Sequence, residues 1–153
     1  MRLPIAPFFL FFLSFLFNAT TFLSSKLRLF SQMTELIACL GAGKGTWNEV
    51  AQLIASESWT HIFLVTNDFG KENFVQKFPS VKAEFVMIND FDKPQQLIES
   101  IKKALDGKIA DTEVAVNMAS GSGYVHMALI TALLHLGLGI RFVVSSEAGA
   151  KEL

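Results

Sequence analysis

V-A-V-N-M-A-S-G-S-G, residues 114–123, is an apolar run that stops at Asn117 and passes into a turn of Gly and Ser. A long apolar helix pattern follows it, from Tyr124 to Leu136. The order is strand, turn, helix, and the turn is the size of a phosphate. Such a turn leaves backbone N–H groups pointing outward at a helix N-terminus, where the helix dipole favours an anion. L-I-A-C-L-G-A-G-K-G-T, residues 36–46, repeats the arrangement. The remaining sequence reads as a scaffold that sets the two turns side by side.

Around these stretches the pattern alternates regularly. Leu36–Leu40 is the first apolar run. Thr46–Ser56 carries Trp47, Val50, Ala51, Leu53 and Ile54 at helical spacing, with Thr46 placed to cap it. Ile62–Val65 is a second strand, Lys71–Phe78 a short helix stopped by Pro79, and Phe85–Ile88 a third strand. Pro94–Leu105 is an amphipathic helix with Pro94 in its first turn and Gly107 just past its end. Val114–Met118 is the fourth strand, Gly121–Leu136 the long helix and Ile140–Val144 the fifth strand. Continuous apolar strands separated by helices predict a parallel sheet covered on both faces. Right-handed crossovers make it a doubly wound, Rossmann-like α/β sheet of five strands in the order 3-2-1-4-5. Strands one and four then flank the point where the chain reverses direction. Ligands in such sheets bind at the carboxyl ends of the strands beside that point.

A chain of 153 residues holds one domain with a real core. Eight of its 15 Phe lie within residues 1–32, a segment with Arg2, Lys26 and Arg28 but no acid. This hydrophobic leader resembles a signal peptide or a signal anchor, with Pro4–Phe17 as its apolar core. Extended to Leu23 it reaches a length of about 20 residues, enough to cross a bilayer. More positive charge follows it than precedes it, which would leave an anchored domain in the cytoplasm. A third reading is translated upstream sequence foreign to the native protein, since Met33 stands just before the first strand. Under each reading residues 33–153 are the domain. The expected location is cytoplasmic, membrane-anchored with a cytoplasmic domain if the leader is native, and a membrane is a partner only in that case. From Met33 onward there are 10 Lys and Arg against 14 Asp and Glu, a net of −4. No basic stripe is present, so duplex nucleic acid is not an expected partner. The single Cys39 falls in a buried strand and reads as a small core residue.

Gly41-Ala42-Gly43-Lys44-Gly45-Thr46 resembles the phosphate loop of adenylate kinases. The full pattern needs four residues between its first Gly and the Gly-Lys pair, and here the required Gly would fall at Ala38 inside the strand. Arg141 is the one arginine after the leader, whereas phosphoryl transfer uses several cationic groups. Two readings of the loop stay open: Lys44 and the loop amides meet an anion, or the loop is a tight turn with a surface lysine.

N-M-A-S-G-S-G-Y-V-H-M-A, residues 117–128, resembles the fourth-strand motif of the CRISPR-associated Rossmann-fold (CARF) domains. Their pattern is roughly N-[IL]-T-G-G-T-K followed by an apolar helix. Asn117 matches the Asn, Gly121 the second Gly and Ser122 the Thr, while Met118 stands at the aliphatic position. Ala119 and Ser120 match it more weakly, and Gly123 replaces the Lys. The resemblance spans Leu36 to about Val144. It implies a homodimeric sensor of a cyclic oligoadenylate, bound across the dimer axis by the turns after strands one and four. In some members the same site slowly cleaves its ligand; the missing Lys bears on both binding and cleavage. The candidate ligand-binding residues are Gly41, Ala42, Gly43 and Lys44 with Asn117, Ser120, Gly121, Ser122 and Gly123.

Two other classes stand beside a nucleotide sensor: a small nucleotide-dependent transferase or hydrolase, and a non-catalytic subunit with an empty pocket. Ser122 and His126 are four apart and share a helix face, as a nucleophile and base would. No Gly-x-Ser-x-Gly elbow accompanies them, and a helix-start serine near a polar histidine is the commoner arrangement. No catalytic residue is assigned. Gly41-x-Gly43-x-x-Thr46 is a poor dinucleotide fingerprint, no His, Asp or Glu set has metal-ligand spacing, and no cofactor is expected. Asp68 and Asp90 end strands, where an acid can hold a ribose, though Asn-Asp pairs also simply favour turns. Residues 124–136 leave almost no polar face on the long helix, which predicts a homodimer packed through them.

Overall fold

Leu36, Ile37, Ala38 and Cys39 are all fully buried, so the first strand faces packed side chains on both sides. That is the requirement for a central strand of a two-faced sheet. The computed structural model describes residues 34–43 and 45–153. The leader, residues 1–32, and Lys44 lie outside the described residues. Among those described, no helix is long and apolar enough to cross a membrane.

The elements run β1 (Leu36–Cys39), α1 (Trp47–Ser56), β2 (Ile62–Thr66), α2 (Asp68–Lys77), β3 (Glu84–Met87) and α3 (Pro94–Leu105). They continue with β4 (Glu113–Asn117), α4 (Gly123–His135), β5 (Gly139–Ser146) and β6 (Gly149–Glu152). The sheet order is β3-β2-β1-β4-β5-β6. The first five strands are parallel in the order 3-2-1-4-5, and β6 returns antiparallel to β5. The five-strand expectation is therefore corrected to a mixed sheet of six. β6 reads G-A-K-E and has no apolar run to announce it. Its place comes from backbone pairing to β5, extended by the Leu153 amide donating to the Phe142 carbonyl at 2.9 Å.

Alternating strand residues feed two cores. Leu36, Ala38, Leu64, Ala115 and Val143 meet Trp47, Val50 and Leu53 of α1 and Phe74 of α2. Ile37, Cys39, Val65, Val86, Val114 and Val116 meet Leu97, Ile101 and Leu105 of α3 and Val125, Ala128, Leu129, Ala132 and Leu133 of α4. Burying a residue such as Leu133 contributes about 2 kcal/mol. α3 packs along α4, so this neighbour covers part of the apolar surface that the sequence left unpartnered. What remains outside on α4 is a stripe of Tyr124, Met127 and Leu134, 63%, 56% and 61% exposed.

Three helix starts differ from the sequence reading. α4 begins at Gly123 rather than Gly121, with Ser122 as its N-cap. α2 begins at Asp68 rather than Lys71, because the Asn67 side chain accepts from the Gly70 amide at 2.8 Å and caps it. Thr46 precedes α1 but does not cap it: its hydroxyl donates backward to the Gly43 carbonyl at 2.9 Å. At the opposite end of the sheet Arg141 binds three residues. Its guanidinium donates to the Thr34 hydroxyl at 2.7 Å, pairs with Glu113, and lies 3.8 Å from the Glu152 carboxylate.

Candidate functional site

The sheet order places the turn after β1 beside the turn after β4, and glycine lets them touch. A Cβ on Gly41 would stand 2.8 Å from both the Cα and the N of Gly121, inside any real contact distance. Gly121 has φ +107, a conformation that favours glycine, and a Cβ there would meet the His126 ring at 2.9 Å and Cys39 at 3.1 Å. Neither turn tolerates a side chain at the point of contact.

Hydrogen bonds fasten the same point. The Gly41 amide donates to the Ser120 hydroxyl oxygen at 2.9 Å. The Trp47 indole N–H donates to the Gly41 carbonyl at 2.8 Å, which ties the first turn to α1. His126 Nε2 lies 2.8 Å from the Ser120 carbonyl, so that nitrogen carries the proton. Thr66 adds a link from the end of β2, its hydroxyl donating to the Leu40 carbonyl at 3.0 Å. Trp47, Thr66 and the structural part played by His126 are not visible in the sequence: each acts across elements. Their one local sign is position: Trp47 and Thr66 stand at the end of a helix and a strand, and His126 lies in the first turn of α4.

These bonds divide the candidate residues. Asn117 and Ser120 are 2% and 3% exposed and turn inward. Asn117 donates to the Val143 carbonyl at 2.8 Å and accepts from the Ala119 amide at 3.2 Å, so both ends of its amide are used. They hold the turn from inside. Gly41 is half-buried, with its amide taken by Ser120. Ala42, Gly43, Gly121, Ser122 and Gly123 are exposed. Lys44 lies outside the described residues. Ser122 caps α4, its hydroxyl accepting from the Val125 amide at 3.3 Å. The amides of Gly123 and Tyr124, one residue on, have no acceptor within the helix and carry its positive end.

The arrangement suits holding an anion better than moving a proton. His126 is directed at the Ser120 carbonyl and Ser122 at its own helix, so the two form no nucleophile–base pair. The first loop closes on itself, with the Thr46 amide 3.2 Å from the Gly43 carbonyl, and does not make the wrap of a full phosphate loop. Burial pushes the Cys39 thiol up to about 12, so it stays protonated at the floor of the site. Asp68 sits in the first turn of α2, and Asp90 accepts from the Asn67 side chain. Asp90 is thus occupied in turn structure. Among the described residues no group of His, Cys, Asp or Glu is placed to hold a metal ion.

Fold and site together define a Rossmann-like α/β domain in which the backbones of two glycine turns meet at the switch point. No family model matches the chain, and no curated protein matches it.

Proposed function

We propose that this domain is a binding module that takes a small anionic ligand at the β1/β4 switch point, and that the ligand is a nucleotide second messenger of the cyclic oligoadenylate type. The contact of Gly41 with Gly121 carries the reading. It brings the backbones of the two turns into direct contact, and leaves the exposed residues of both turns beside the positive end of α4. The resemblance of residues 117–128 to the CARF motif supplies the ligand class. A symmetric ring ligand calls for two copies of the site. The stripe Tyr124, Met127 and Leu134 begins at the Gly123 turn and supports a homodimer packed through residues 124–136. With Gly123 in place of the motif Lys, recognition rests on backbone amides, and binding of the ligand is the function proposed.

A thermal-shift comparison of the full chain with cyclic oligoadenylates, ATP and NAD tests this. A ligand at about 100 times its Kd adds about 2.7 kcal/mol of stability. The expected result is a shift with a cyclic oligoadenylate that Ser122→Trp abolishes by filling the mouth of the turn. No shift with any of the three overturns the reading.

A further inference from the structure

A second concave surface lies between the starts of β2 and β3. It is a cleft of about 610 Å³ lined by residues 59–62 and 82–84. Small-molecule sites have volumes of this order. β2 and β3 run parallel to β1, and β1 runs parallel to β4. The glycine turns follow β1 and β4 at the carboxyl edge of these strands, so the cleft opens at the opposite, amino edge. It does not depend on the glycine turns.

One wall is apolar. Trp59, Ile62 and Ala83 pack against the core on the α1 side. The Trp59 indole N–H donates to the Leu53 carbonyl at 3.1 Å, so the one polar atom of that side chain is used and the ring is held. What Trp59 offers the cleft is aromatic surface. The polar groups divide by their partners. Glu84 is paired with Lys108, which is not part of the lining, so its charge is balanced from outside. The Lys82 ammonium, the Thr60 hydroxyl and the His61 ring nitrogens have no hydrogen-bond or ion-pair partner among the described residues. The His61 ring is stacked on Phe63, with centroids 5.8 Å apart and planes 17° apart, so its place at the rim is set by the sheet. The cleft thus combines one unmatched positive charge, two further donors and an aromatic wall.

We propose that this cleft is a second ligand site, which takes a small aromatic carboxylate. The ligand ring packs on Trp59 and the apolar wall, and aromatic pairs gain beyond the area they bury. The carboxylate meets the Lys82 ammonium in a charge-assisted hydrogen bond, with Thr60 and His61 as neutral donors beside it. One ammonium matches the single charge of a carboxylate. A phosphate group, with its higher charge, calls for the arginine forks that this cleft lacks.

Amide NMR of the isotope-labelled full chain, titrated separately with phenylacetate, the neutral phenylacetamide and acetate, tests the proposal. Phenylacetate is expected to shift residues 59–62 and 82–84 saturably, with half-saturation at about 1 mM or below. Phenylacetamide is expected to bind about ten-fold more weakly for want of the charge, and acetate to show no saturation for want of the ring. Lys82 is exposed, so Lys82→Met should keep the melting temperature, weaken phenylacetate about ten-fold and leave phenylacetamide unchanged. Three results overturn the proposal. The first is an absence of saturable shifts with phenylacetate. The second is equal binding of phenylacetate and phenylacetamide, indifferent to Lys82→Met. The third is shifts centred away from the cleft, at the glycine turns included.

Discussion

Gly41 has no side chain because Gly121 occupies the place where one would go. Gly41→Ala therefore forces one turn off the other, and is expected to cost about 1–3 kcal/mol in urea unfolding, as overpacked sites do. Gly43→Ala, whose Cβ would find its nearest neighbour 3.9 Å away at the Thr46 hydroxyl, is the matched control with little expected loss. Cys39 gives a second test at this scale. Its thiol is raised from 9.0 to about 12 by burial. At alkaline pH the unfolded chain ionises that thiol while the folded chain keeps its proton, so the unfolded state binds fewer protons and stability falls as pH rises. The contribution is whole below pH 9 and is lost between there and about 12; denaturant unfolding of the parent and of Cys39→Ala at neutral pH and at pH about 10 should show the larger fall in the parent. The meeting of the two turns was legible in the sequence, since apolar runs that stop before Gly-rich turns locate the strand ends and the sheet order pairs them. The inward bonds of Asn117 and Ser120 were not, because their partners, Val143 and Gly41, are 26 and 79 residues away.

Elements show where local pattern suffices and where it fails. Pro94–Leu105 has the bounds its sequence predicts, because Pro94 starts it and one clean apolar stripe defines it. α2 has no such stripe: its buried residues are Gly70 and Phe74, and its start is set by Asn67. Read as strand-end turn chemistry, Asn67-Asp68 concealed a cap. Asn67→Ala is expected to destabilise the domain by about 1 kcal/mol in urea unfolding, with the loss centred on α2 in hydrogen exchange. β6 was missed because antiparallel edge pairing needs no apolar run. On α4 the stripe predicts its own test. Leu134→Glu places a charge on a side chain already 61% exposed, so the fold should survive while sedimentation changes from dimer to monomer. Leu133→Glu, at a fully buried neighbour, should unfold the chain instead.

At the scale of the molecule, the strand the sequence did not announce closes the sheet. Ending the chain at Ser146 removes the β5–β6 ladder and the Glu152 partner of Arg141, and should cost about 2 kcal/mol, read as several degrees of melting temperature. The glycine turns follow β1 and β4, whereas β6 pairs only with β5, so ligand binding should persist in the truncated form below its lowered melting point. Arg141 has a larger consequence. It touches Thr34, just before β1, and Glu152, at the end of β6, so the first and last strands of the domain meet at a single guanidinium. In connectivity the domain is nearly a ring, and the order in which its segments are translated is close to arbitrary. A permuted chain that opens in the exposed loop at Asp106–Gly107 and joins Leu153 to Thr34 through a few Gly and Ser residues should fold to the same sheet.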